Sequence, residues 1–251
     1  MRLRGPLPSI LASAVLAIAL WQAVVTLATP PSYILPGPLD VAETLWTARG
    51  QIAHHSVYTM AEVLLGLTLG AILGALSAIG LAASPLAQLL LRPMMVFSQA
   101  IPVFVLAPIL TLWLGYGIWP KVAMALLIIY FPVTSAFFDA LMRPPAAWLD
   151  LARVMGATRA RIMWHIRIPA ALPGLASGLR LAAVYAPIGV IISEWVGASR
   201  GLGYLILLAL GRVKVDLMFA TTIALAVFTL LTYALIDRMC RRWLDGPSGP
   251  A

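Results

Sequence analysis

The residues of this chain that could do chemistry are few, and their types point to hydrogen bonding rather than bond making. Ser98-Gln99-Ala100-Ile101-Pro102 sets a side-chain amide beside a proline inside an apolar run. Further on, Tyr185, Pro187, Glu194 and Trp195 bring together a phenol, a helix-bending proline, a carboxyl and an indole. An amide at membrane depth must face protein or solute, because lipid cannot satisfy it. Gln99 therefore either bonds to a neighbouring helix or lines a path. Glu194 pairs with Arg200 in the following loop, the favoured reading, or contacts a cationic or hydrogen-bonding solute. Arg180 snorkels or attracts an anion. His54, His55 and His165 do not make a metal cluster by spacing, and no Ser-His-Asp grouping is visible. No GxxxxGK[ST] loop occurs, so the chain lacks the cradle needed to hydrolyse ATP. Its single cysteine, Cys240, excludes an intrachain disulfide.

A second group of residues has the chemistry of docking. Asp150–Pro169 reads Asp-Leu-Ala-Arg-Val-Met-Gly-Ala-Thr-Arg-Ala-Arg-Ile-Met-Trp-His-Ile-Arg-Ile-Pro. Ala146–Met155 is a good helix former, Gly156 interrupts it, Ala160–Ile166 resumes, and Pro169 closes the segment. Leu151 and Met155 lie one turn apart, as do Ile162 and Ile166, while Arg153, Arg159 and Arg161 supply the polar face. Two short helices at an angle would present an apolar knob in a basic surround. Composition alone leaves two uses open: fitting a groove on a soluble partner, or holding phospholipid at an interface.

The elements that must hold these residues are apolar. Of 251 residues, 62% are hydrophobic and 10% charged, with mean hydropathy +0.97, whereas a soluble domain carries about 25% charge. The fold class is all-α: a polytopic membrane protein with six helices expected near 9–28, 60–82, 88–114, 119–139, 172–193 and 217–237. Pro93, Pro102 and Pro108 punctuate the third, and Pro173 and Pro187 the fifth, so these broken helices belong in the protein interior. Between the first two spans, Pro30–Pro38 cannot continue a helix, and Pro38 is suited to begin a short amphipathic one over Leu39–Trp46. The first run is long for a signal peptide and is read as a retained span. Gly66, Gly70 and Gly74 form a small ridge on the second span, favouring packing within the subunit.

Basic residues set the orientation. Arg2, Arg4, Arg92, Arg143, Arg153, Arg159, Arg161, Arg167, Arg238, Arg241 and Arg242 fall on one side, and only Arg49, Lys121, Arg200, Arg212 and Lys214 on the other. Both termini and Asp150–Pro169 are thus expected in the cytoplasm. The net charge of +8 fits lipid and orientation, not nucleic acid.

The Asp150–Pro169 segment resembles the cytoplasmic signature of permease subunits of binding-protein-dependent ABC importers: Glu-Ala-Ala, three residues, Gly, nine residues, Ile-x-Leu-Pro. Asp150 stands for the Glu, Leu151 and Ala152 for the alanines, Gly156 for the glycine, and Ile166, Ile168 and Pro169 for the end. Leu151 departs most from the pattern. The resemblance implies that Asp150, Leu151, Ala152, Met155, Gly156, Ala157, Ile162, Ile166 and Pro169 couple to an ATP-binding subunit, with Asp150 near the start of the first short helix, where a negative charge favours the dipole.

It extends over about 15–245 and is strongest to permeases for taurine, alkanesulfonates, nitrate and thiamine precursors. Tyr33-Ile34-Leu35-Pro36-Gly37-Pro38 and Ser199-Arg200-Gly201-Leu202-Gly203-Tyr204 resemble their hairpin and last turn. Phe97–Pro102, Leu106-Ala107-Pro108, Leu114–Gly117, Ala186–Gly189 and Ser193–Gly197 look most like the permeases for thiamine's pyrimidine precursor.

Membership of this group would make the chain a non-enzymatic subunit with no cofactor of its own, ATP and Mg2+ being bound by the partner ATPase. Its other partners would be an extracytoplasmic solute-binding protein, a second permease copy and lipid, in the bacterial inner membrane. The expected organisation is a tail over 1–8, a six-span domain over 9–245 containing the coupling segment 140–171, and a tail over 246–251. The substrate path would include Gln99, Pro102, Tyr185, Pro187, Glu194 and Trp195. A taurine, sulfonate, nitrate or similar small-anion importer is the alternative cargo reading, and an autonomous secondary transporter the alternative class.

Overall fold

The computed structural model describes residues 6–244, so most of the two expected tails, with Arg2 and Arg4, lies outside the described residues. All regular structure in that range is helical. Helix α1, Pro6–Ala28, begins within the expected tail. Thr29, at φ 42°, turns the chain into the proline-rich hairpin. Trp21 Nε1 donates to Pro36 O at 3.1 Å and ties that hairpin back to α1. Helix α2, Pro38–Thr47, starts where Pro38 predicts, with Asp40 Oδ2 accepting from Gly37 N.

Helix α3 runs over Arg49–Ala83, 35 residues, and so begins well before the expected start near 60. Its first turns carry polar groups that hydropathy discounts but that find partners across the fold. The expected third span is two helices, α4 Pro85–Ser98 and α5 Val103–Leu114, meeting at a bend of 101°. Pro102 causes the break: it has no N–H to donate and disfavours helical geometry at Ile101. Pro93 and Pro108 stay inside their helices.

Helix α6, Trp119–Met142, leads to the short helices α7, Ala146–Val154, and α8, Arg159–Ile162. A π-helical turn, Met163–Arg167, joins α8 to α9, Ile168–Gly197. The expected fifth span is therefore not broken at Pro173 or Pro187, and Pro169 does not close the segment. Pro169 sits in the first turn of α9, where its missing donor costs nothing. Helix α10, Leu202–Gly211, is apolar but too short for a span and is not among the six expected helices, and α11, Val215–Trp243, is the last described helix.

By length and composition α3, α6, α8–α9 and α11 can cross a membrane, the bent α4–α5 pair can count as one more crossing, and α1 adds 23 residues of apolar helix. The core lies where α6 is held between α3 and α9. Val63 and Leu67 meet Ala125, Ile129 and Val133, which meet Ala182, Ala186 and Val190. At the end of α6 nearest α7, Phe137, Phe138 and Leu141 pack with Met163 and Ala171; at the opposite end Val41, Ile52, Leu202, Leu205 and Ala220 form another cluster.

The ridge Gly66, Gly70 and Gly74 packs within the subunit, against Ala125, Ile129 and Val133. A Cβ on Gly70 would overlap the Ile129 side chain, whereas one on Gly80 would meet nothing within 4 Å. Gly70→Leu is therefore expected to destabilise the protein by about 1–3 kcal/mol or more, read as a lower melting temperature in detergent. Gly80→Ala should leave that temperature unchanged or raise it; equal effects of the two changes would contradict this packing.

Candidate functional site

The α7–α8 elbow owes its shape to two local devices. Ala157 N donates to Ala152 O at 2.9 Å and Gly156 N to Arg153 O at 3.0 Å, the paired bonds that close a helix through a left-handed residue. Gly156 supplies that residue, with φ 73°. Thr158 then opens α8, its Oγ1 accepting from Arg161 N.

Asp150 is not at the start of α7, as the dipole argument expected. The helix begins four residues earlier at Ala146, after Pro144-Pro145, and Asp150 pairs with Arg153 at 2.8 Å in solvent. Such an exposed pair contributes little, about 0–1 kcal/mol.

The elbow's apolar residues do more than form a knob. Trp148, Leu151, Ala152, Met155, His165, Ile166 and Pro169 line a groove of about 440 Å³, while Val154 protrudes with 87% of its surface exposed. Ile162 is half-buried and lies outside that groove. Buried Met163 anchors the elbow to the Phe137–Leu141 cluster of α6.

Within the helical body, Gln99 sits at the α4–α5 bend, its Nε2 3.3 Å from Ser98 Oγ. It lines one cavity of about 460 Å³ with Met94, Met95 and Tyr130, and a second of about 520 Å³ with Phe131, Ser135, Leu181 and Tyr185. The fold thus brings Gln99 and Tyr185, 86 positions apart in sequence, to one cavity. Pro102 is exposed at the bend and Pro187 is buried in α9. Neither lines the shared cavity, nor do Glu194 and Trp195. Arg180 is held by Asp237, Nε to Oδ1 at 2.7 Å, and Asp237 also binds Arg241 at 2.7 Å.

Glu194 does not form the expected pair with Arg200. Its Oε1 accepts from Thr59 Oγ1 at 2.7 Å and its Oε2 from Gly203 N at 2.5 Å. Arg200 instead donates to Tyr58 Oη at 2.6 Å. Thr59 Oγ1 accepts from Leu202 N at 2.8 Å, and His55 Nδ1 from Gly201 N at 3.1 Å. Side chains of α3 and α9 thereby satisfy the unpaired backbone donors at the start of α10. Gly201, at φ 112°, and Gly203 leave room for the carboxyl, which a Cβ at either position would strike.

Two more polar residues of this region escaped the sequence reading. Glu62 and Lys121 are buried, 6% and 5% exposed, on the walls of an 810 Å³ cavity at the end opposite the elbow. The signal was present, since an ionisable residue within an apolar run marks a site by default. Glu62 falls within the expected second span, and Lys121 enters the sequence argument only through orientation.

Residues 66–245 match the family described as the inner membrane component of binding-protein-dependent transport systems. The chain belongs to that family. A probable ABC transporter permease protein of Haemophilus influenzae is 45% identical over 97% of this chain and 99% of its own length. The riboflavin transport system permease protein of Chloroflexus aurantiacus is 34% identical over 91% of this chain and 87% of its own. The formylaminopyrimidine transport permease protein of Halalkalibacterium halodurans is 33% identical over 82% and 83% respectively. The protein is thus the permease component of an ABC importer, a multi-pass inner membrane subunit, and the autonomous secondary transporter reading gives way.

Thr59 joins α3, α9 and α10 of this permease through one hydroxyl. Thr59→Val keeps the side-chain volume but leaves Leu202 N without its acceptor, a loss of about 1–3 kcal/mol. A lowered melting temperature of the detergent-solubilised protein is the expected result, and an unchanged one would remove Thr59 from this role.

Proposed function

We propose that this permease carries a small neutral heterocycle, most simply a pyrimidine precursor of thiamine, along a path past Gln99 and Tyr185. The observation that carries the reading is the shared cavity of these two residues. An amide that both donates and accepts, and a phenol that can stack, suit a flat ring bearing nitrogen donors and acceptors. Relatives named for formylaminopyrimidine and riboflavin support a heterocyclic cargo. At this cavity a taurine, sulfonate or nitrate ion would meet no cationic side chain, and Arg180 is engaged with Asp237. Pro102 and Pro187 shape the helices around the path, Trp195 belongs to its outer end, and Glu194 holds that end together through Thr59 and Gly203.

In this reading the elbow faces the cytoplasm, as do both termini, and docks into a separate ATP-binding subunit. Leu151, Met155, Ile166 and Pro169 form the apolar seat, with Ala152, Ala157 and Ile162 backing it. Asp150 and Gly156 set the local geometry. Two permease copies close the path, a solute-binding protein delivers cargo, and ATP with Mg2+ is bound by the partner.

Uptake of labelled aminopyrimidine, taurine and an alkanesulfonate into proteoliposomes holding the whole complex tests the cargo. Aminopyrimidine uptake that requires ATP is expected, reduced about tenfold by Gln99→Leu or Tyr185→Ala, equivalent to the loss of one good contact. Saturable uptake of the anions alone would overturn it.

For the elbow, Gly156→Val puts a β-branched residue at φ 73°, where the strain is about 1–2 kcal/mol although the space is open. The variant should insert normally but recover less ATPase on purification and show less solute-coupled hydrolysis. Normal assembly and transport would count against the docking role.

A further inference from the structure

We propose that the 810 Å³ cavity opposite the elbow is a receiving subsite, in which Glu62 accepts a hydrogen bond from a nitrogen donor of the solute while Lys121 and Arg200 face an acceptor next to that nitrogen. The proposal rests on the importer path described above and adds a station to it.

The first observation is an orphaned atom. Glu62 Oε2 is buried and has no hydrogen-bond partner, although the groups around it are engaged. The Glu62 carboxyl shares one hydrogen bond with Glu194, both oxygens of Glu194 are engaged, Thr59 and His55 are committed to α10, and Lys121 Nζ donates to Gly117 O, so that only Oε2 of Glu62 is left over. A buried acceptor left over in an otherwise satisfied network calls for a ligand or water, and Glu62 stands on the wall of a cavity large enough for either.

The second observation is the charge arrangement. Lys121 and Arg200 share the cavity wall with Glu62. A simple cation would be opposed by the two basic side chains, and a simple anion would leave Glu62 Oε2 without a donor. A solute with a donor at one point and an acceptor beside it meets both. An amino group next to a ring nitrogen has this chemistry, and so does an ammonium near a sulfonate.

The third is alignment. Lys121 lines this cavity, and Ile128 and Ser135 line the one shared by Gln99 and Tyr185. The three are seven residues apart, on one stripe of α6, about 10 Å per step. The two cavities are therefore successive stations along one helix face.

The test uses the complete transporter with its ATPase and binding protein, and matched pairs of solutes. One pair is an aminopyrimidine and the same ring without its amino group; the other is taurine and ethanesulfonate. The native protein should favour the aminated member by about tenfold or more in kcat/KM for the imported pair. Glu62→Met, which removes the acceptor, should bring that ratio close to the value set by the binding protein alone, and Glu62→Gln, which keeps one acceptor oxygen, should fall between.

A ratio unchanged in both variants, or equal slowing of both members, overturns the subsite and assigns Glu62 to structure or to a resident water. If Glu62→Met does not assemble, the Glu62→Gln ratio decides alone. If aminopyrimidine import persists and is still slowed by Tyr185→Ala while the ratio does not move, only the receiving subsite fails. If taurine alone is imported, the cargo reading falls and the taurine to ethanesulfonate ratio decides the subsite; if neither aminated solute is imported, both fall.

Discussion

Close approach of α3 and α9 to α6 depends on small residues at the crossings. Gly66, Gly70 and Gly74 from one side and Gly174, Gly178 and Gly189 from the other face side chains and backbone of α6 at distances that leave no room for a Cβ. In lipid no hydrophobic force drives such helices together, so van der Waals contact across small residues does the work. The cavities lined by Gln99, Tyr185 and Glu62 lie around this tightly packed unit, and the elbow is fastened to its end through Met163.

The polar junction opposite the elbow obeys a different rule. A helix that starts in the interior of a membrane protein brings backbone donors that water cannot reach. The start of α10 meets this with Thr59, His55 and Glu194 from two other helices. Glycines at 201 and 203 are what let the carboxyl come so near the backbone. A motif that looks in sequence like a flexible turn is a tightly fitted socket.

Much of the architecture is legible without the fold, because spans and elbow are written in local pattern. Apolar run length, the prolines near residue 38 and Gly156 each act through neighbouring residues, and helices α2 and α7 start close to where they are expected. The misses are non-local. Glu194 finds Thr59 across 135 positions, so proximity in sequence favoured Arg200 instead. The early turns of α3 are polar for the sake of α9 and α10, which a hydropathy window reads as loop. Among the proposed path residues, Gln99 and Tyr185 share a cavity, whereas Glu194 is a structural hub.

The π turn at Met163–Arg167 has a mechanical result. By carrying the helix past Pro169 it fuses the inner foot of the elbow to α9, giving a helical run of 39 residues from Arg159 to Gly197, about 58 Å long. A beam of that length is a lever: tilting it by roughly 5° swings its far tip by roughly 5 Å, more than the width of a water molecule. Small rotations at the foot are thereby geared up into displacements, at the distal mouth, on the scale of the cargo itself.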